Sequence, residues 1–174
     1  MIVAGGTIPR MIRNATIDDV PLILYFIREL ATYERLAHEV VADEALLRET
    51  LFGAHPSAEV VIAEDDGQPG AFALFVHNFS TFKGRPGLYL EDLFVKPEMR
   101  GRGIGKALLA HLASIAKERH CARFEWAVLN WNQSAIDFYR SLGARPVDDW
   151  VIFRMTGDAL DALASYAKVP SVRS

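Results

Sequence analysis

Leu93-Phe-Val-Lys-Pro-Glu-Met-Arg-Gly-Arg-Gly-Ile-Gly-Lys106 is the stretch on which the reading of this chain turns. An apolar strand-like run stops at Pro97, glycines follow at 101, 103 and 105, and an amphipathic helix begins. Its apolar stripe, Ile104, Leu108, Leu112 and Ile115, has helical spacing and ends near His120. The first N–H groups of such a helix lack intrahelical acceptors, and the helix dipole favours an anion beside them. Glycines let a ligand approach the main chain. Arg100, Arg102 and Lys106 add positive charge. The stretch is therefore a candidate diphosphate site; a glycine-rich turn with basic neighbours and no ligand is the alternative.

Two familiar phosphate motifs fail here. A P-loop needs Gly where Arg100 stands, and Ser or Thr where Ala107 stands. The dinucleotide pattern G-x-G-x-x-G requires a final Gly, yet Lys106 or Leu108 occupies that place. What remains is Arg100-x-x-Gly103-x-Gly105.

Outward from this stretch the chain alternates strand and helix. Met11–Ala15 reads as a strand, and Thr16-Ile-Asp-Asp19 as a capping box opening a helix to about Tyr33-Glu34. A second helix is expected over Asp43–Phe52, with Gly53 as its stop. Val60–Ala63 and Ala71–Asn78 form a hairpin around Asp65–Gly70, and Leu88–Val95 is the next strand after a Thr81–Gly87 loop. After the long helix come a strand over Phe124–Leu129 and a helix over Gln133–Leu142 stopped by Gly143. A last strand at Trp150–Met155 and a short helix at Asp158–Tyr166 close the pattern. The order predicts one mixed α/β sheet, mostly antiparallel, with helices on both faces. Residues 1–10 read as a tail, 11–166 as a single domain and 167–174 as a second tail.

A net charge of −3 gives no electrostatic reason to bind nucleic acid. No window holds the ~20 apolar residues of a membrane span, and the N-terminus lacks the form of a signal peptide. Cys121 has no second cysteine to pair with, which suits a cytoplasmic protein. His38, His55, His77, His111 and His120 show no metal-ligand spacing, so no metal is expected.

R-x-x-G-x-G between a strand and a long helix resembles the acetyl-CoA pyrophosphate loop of the GNAT acetyltransferase superfamily. Asn132-Gln-Ser-Ala135-Ile-Asp-Phe138-Tyr139, followed by Leu142-Gly-Ala144, resembles that family's later helix. Arg28–Glu34, Gly53–Pro56, Tyr89–Val95 and Ala127–Asn132 narrow the likeness to the spermidine/spermine (diamine) and, more closely, the thialysine acetyltransferases. Together the likeness spans about residues 11–165.

The resemblance implies a GNAT-like fold and transfer of an acetyl group from acetyl-CoA to a small cationic amine, by direct attack in a ternary complex. It assigns coenzyme contacts to Leu93, Phe94, Val95, Arg100, Gly101, Arg102, Gly103, Ile104, Gly105, Lys106, Asn132, Ala135 and Tyr139. Leu93 and Val95 would offer backbone groups to the pantetheine arm, as one strand pairs with another. Asn132 would bond that arm or cap its helix. Tyr139 is the expected general acid, since a free phenol holds its proton to about pH 10. Glu91 is expected near the amine, helping to remove its proton. Asp92, next along the strand, should point to the other face. Tyr33, Glu34, Asp92, Glu125, Trp126 and Asp149 are the remaining substrate-side candidates. A homodimer is implied as well. The alternatives are an acetyltransferase for another amine, such as an antibiotic or a protein N-terminus, and a non-catalytic CoA-binding module. A nucleotide-binding protein using the same loop is disfavoured by the failed P-loop spacing.

Overall fold

The computed structural model describes residues 11–167. They divide into two compact units, one ending at Ala127 and one beginning at Val128. The first holds a five-stranded sheet of β1 (Met11–Asn14), β2 (Glu59–Asp65), β3 (Gln68–Ser80), β4 (Arg85–Val95) and β5 (Phe124–Trp126), adjacent in that order. All pairs are antiparallel except β4–β5. That pair is parallel because the chain returns through a crossover helix, α3 (Ile104–Glu118). Asp66 and Gly67, both at positive φ, make the tight turn that matches strand twist in the β2–β3 hairpin.

Strand alternation decides which helix covers which face. Val60, Ile62, Phe72 and Phe94 pack with Val20, Ile23, Leu24 and Phe26 of α1 (Val20–Tyr33) and with Leu47 and Leu51 of α2 (Glu44–Phe52). Phe26 stacks on Phe72 at 5.3 Å between ring centres. The alternate residues Val61, Ala63, Ala71 and Ala73 lie on the other face, where Ile104, Leu108 and Leu112 of α3 are buried. Helices thus cover both faces, as the sequence pattern predicts.

Thr16 opens α1 through a 3₁₀ turn: its backbone N–H and its hydroxyl both donate to Asp19 Oδ2, at 2.8 and 3.1 Å. Arg13 on β1 grips the same carboxylate with two nitrogens and Glu64 with a third. Asp43 caps α2 by accepting from the Leu46 N–H at 2.8 Å. Gly53 ends that helix, but not through a left-handed turn: its φ is −73°. Glycine is needed because a Cβ there would stand 2.3 Å from the Glu49 carbonyl oxygen.

One register shift matters for function. Leu74 opposes Asp92 and Phe75 opposes Leu90, so Glu91 is left unopposed on β4. This is a β-bulge, which bends its strand and interrupts the period-two alternation. The predicted simple opposition of Glu91 and Asp92 across the sheet is therefore replaced by a bulge at Glu91.

In the second unit, α4 (Gln133–Ser141) starts where Asn132 Oδ1 accepts from the Ala135 N–H at 3.2 Å. It stops at Gly143, whose φ is +88°. A further helix, α5, spans Gly157–Ala164. The predicted strand Trp150–Met155 is not formed: residues 151–156 carry no regular structure, and the described strands are the five above. Val151, Ile152 and Phe153 are 77%, 78% and 92% exposed. Apolar, β-branched composition favours a strand only where a ladder partner exists, and among the described residues this segment has none. The strand predicted over Phe124–Leu129 likewise shortens to Phe124–Trp126. The expected tail at residues 1–10, and residues 168–174 of the other, lie outside the described residues. No described helix is long and apolar enough to cross a membrane.

Candidate functional site

The bulge at Glu91 marks where β5 leaves β4. Their pairing covers Leu88, Tyr89 and Leu90 and stops there. Onward from Glu91, β4 pairs with β3 on one side only, which leaves its other edge open among the described strands. An open edge can receive an extended ligand as an added strand.

β4 then runs through a 3₁₀ turn, Pro97–Met99, into the glycine loop. Gly101 and Gly103 sit at φ +74° and +82°, a conformation that costs other L-residues strain. The first ladder bond of α3 runs from the Ala107 N–H to the Gly103 carbonyl at 3.0 Å. The preceding amides, Gly103 to Lys106, therefore have no intrahelical acceptor. Gly105 is bare for a reason other than crowding: a Cβ there would meet only Val95 and Leu93 side-chain atoms at 3.8 and 3.9 Å. Unmatched amides around a bare glycine fit a diphosphate.

The two arginines of the loop are engaged with the protein. Arg100 Nε donates to the Val95 carbonyl at 3.0 Å, and its guanidinium lies 4.9 Å from the Tyr33 ring centre and 5.7 Å from that of Phe94. Arg102 pairs with Asp65 at 2.5 Å. Lys106 is exposed. The sequence pattern counts all three cations toward the diphosphate site.

On the α1 face, Asp92 borders a cavity of about 320 Å³ with Ile27, Leu30, Ala31, Glu34 and Val41. Burial, with the charges of Glu34 and Glu91 adding to it, pushes the Asp92 carboxyl up to about 6. Burial also raises Glu34. Glu91 itself is exposed. A carboxylate pair against apolar walls suits an alkylammonium ion, whose charge offsets theirs and whose chain fits the walls. The structure thus gathers Tyr33, Glu34, Glu91 and Asp92 near the open half of β4. Glu125 opposes Tyr89 and already receives Arg123 Nε at 2.9 Å and Asn78 Nδ2 at 3.4 Å. Trp126 is half-buried against Phe124.

In the second unit, Asn132 caps the helix that carries Ala135 and Tyr139, which lie four residues apart and so on one face. Tyr139 is half-buried and its ring lies 5.6 Å from that of Phe138. Asp149 is exposed in a turn. Sequence reasoning missed Asp65 and Val41. Asp65-Asp66-Gly67 reads only as turn chemistry, and nothing local marks Val41 as a cavity wall.

A sequence profile of the acetyltransferase (GNAT) family matches residues 24–144. The chain belongs to the GNAT acetyltransferase family. It is 40% identical over 165 residues to a thialysine N-epsilon-acetyltransferase of Bos taurus, covering 88% of this chain and 96% of that one. It is 32% identical over 197 residues to the L-ornithine N5-acetyltransferase NATA1 of Arabidopsis thaliana, covering 87% and 86%. Among solved structures, an integron cassette protein from the mobile metagenome of V. cholerae superposes with a TM-score of 0.74 at 31% identity, over 88% of this chain and 96% of that one. The protein is thus an acetyl-CoA-dependent N-acetyltransferase of the GNAT family, acting on amines.

Proposed function

We propose that the protein acetylates the terminal primary amine of a small aliphatic cation, a diamine, polyamine or thialysine-like amino acid, by direct attack in a ternary complex. The carrying observation is the cavity where Asp92 and Glu34, both raised, face apolar walls beside the open half of β4. The names of the thialysine and ornithine relatives point the same way, since both act on the far amine of a short chain.

When bound, acetyl-CoA supplies the acyl group as a thioester. The amides of Gly103 to Lys106, with the exposed Lys106, would hold its diphosphate, and the free edge of β4 at Leu93–Val95 its pantetheine arm. Phe94 supports that edge from the core, and Ile104 anchors the helix start. Asn132 and Ala135 belong to the same coenzyme set through the motif on α4. Glu34, Tyr33 and Asp92 bind the ammonium, with Glu91 at the bulge adding negative charge. Asp92 Oδ takes the proton. Lifted to about 6 in the free protein, the Asp92 carboxylate is a stronger base than an ordinary carboxylate near 4, and so a better acceptor for that proton. Tyr139 Oη returns a proton to the departing sulfur; its support is the Asn132–Ala144 motif.

A panel of amines with acetyl-CoA, read by thiol release, tests the substrate class. Ornithine, lysine, thialysine and short diamines should turn over well, and an aminoglycoside or an N-terminal peptide poorly. The reverse preference would overturn the proposal and leave the family membership intact.

A further inference from the structure

The loop that carries the helix amides is clamped to the β2–β3 hairpin, and the clamp centres on a buried carboxylate. Asp65, the last residue of β2, is 5% exposed and pairs through Oδ2 with Arg102. Its other oxygen, Oδ1, is buried with no hydrogen-bond partner among the described residues. A half-satisfied carboxylate is costly to bury, so its partner is strongly held, and loss of either leaves an uncompensated charge or donor. The same hairpin receives the loop twice more. The Lys96 N–H donates to the Gly70 carbonyl at 2.9 Å. Met99 fills the space over Gly70, where a Cβ would stand 2.0 Å from its sulfur. These two contacts secure the approach to the loop, and Arg102 secures its tip. Arg102 stands between Gly101 and Gly103, residues whose freedom makes that tip the segment most in need of a tether.

We propose that Asp65 is a positioning residue for the coenzyme loop: through Arg102 it holds the Gly101–Lys106 amides in their converging arrangement, and Arg102 serves the coenzyme through Asp65, not by contact with phosphate. This rests on the reading of that loop as the diphosphate site. For Arg102 Nη2, held at 2.5 Å by a buried carboxylate, reaching an anion would mean giving that partner up. The amides need no such rearrangement.

Asp65→Asn, Arg102→Gln, the double variant and Arg102→Lys separate the possibilities. Two readouts are needed: calorimetric titration with CoA, and amide hydrogen exchange at residues 100–106 in the free protein. Each single loss should weaken CoA about tenfold and speed exchange in the loop. The double variant should be no weaker than either single, because both remove one device. Arg102→Lys should restore most of the affinity and protection. In turnover assays Asp65→Asn should raise the KM for acetyl-CoA while kcat at saturation is retained. Unchanged exchange in both single variants would overturn the clamp. So would an Asp65→Asn protein that binds CoA as well as or better than the parent while Arg102→Gln binds worse, since Arg102 would then touch phosphate itself. If CoA leaves the exchange of residues 100–106 in the parent protein unaltered, the diphosphate reading fails instead, and exchange in the free variants still decides the clamp.

Discussion

A single side chain, Asp92, links the site's electrostatics to two measurable pH dependences. Burial first, then Glu34 and Glu91, lift its carboxyl from 3.8 to about 6. If ionised Asp92 receives the amine's proton, kcat/KM should fall as pH drops through about 6. Asp92→Asn should lose that acidic limb along with most of the rate, roughly 10²-fold or more. A parent protein with no inflection between pH 5 and 7 would speak against the role. Stability should move oppositely. Between 3.8 and about 6 the folded state binds a proton that the unfolded chain releases, so stability declines as pH rises through this window. The penalty is complete above about 6. Asp92→Asn should therefore be more stable at pH 7 by on the order of 1–2 kcal/mol in chemical denaturation, allowing for solvent screening, and the gain should shrink toward pH 5. Tyr139→Phe belongs to the same scale. It should bind CoA normally and lose turnover by about 10² or more, which would exclude a non-catalytic CoA-binding module. Full turnover in this variant would remove Tyr139 from the mechanism.

The elements that hold the site respond to substitution in a different way. The start of α1 depends on Asp19, held down to about 2 chiefly by its hydrogen bonds from Arg13, with the Thr16 backbone assisting against the cost of burial. The folded carboxyl lies below its unfolded value of 3.8, so its contribution is complete above about 4 and lost as pH falls toward 2. Asp19→Asn should lower stability by about 1–2 kcal/mol at pH 7, seen as a lower denaturation midpoint, and the deficit should close in acid. An equal deficit at every pH would make the effect steric. This element was legible because Thr16 and Asp19 lie three residues apart in one motif. The glycine loop and the α4 cap at Asn132 were legible for the same reason: their chemistry is local in sequence. The bulge at Glu91 was not, because it is set by how β3 and β4 align across the sheet. The strand predicted at Trp150–Met155 failed on the same ground, since composition favours a strand and only a neighbour completes one.

Across the whole chain, the alternation of elements identified a mixed sheet with helices on both faces, since periodicity survives every change of register. The Asp65–Arg102 pair was invisible at that level; it joins residues 37 positions apart through a hairpin that reads as plain turn. The site at the first unit's α3 start has a consequence for the melting of the protein. A ligand that binds only the folded state stabilises it by RT ln(1 + [L]/Kd), about 2.7 kcal/mol at a hundredfold excess over Kd. For a chain of 174 residues each kcal/mol raises Tm by roughly 2–4 °C, so saturating CoA should raise it by about 5–11 °C. ATP carries phosphates too, but the loop lacks the first glycine and the hydroxyl of a P-loop, since Arg100 and Ala107 stand in those places. A net charge of −3 gives no electrostatic reason for general affinity to polyanions. ATP at the same concentration should therefore shift Tm far less. An ATP shift equal to that of CoA, with no further rise when both are present, would mean that the loop recognises phosphate alone, and coenzyme selectivity would have to be sought beyond the α3 amides.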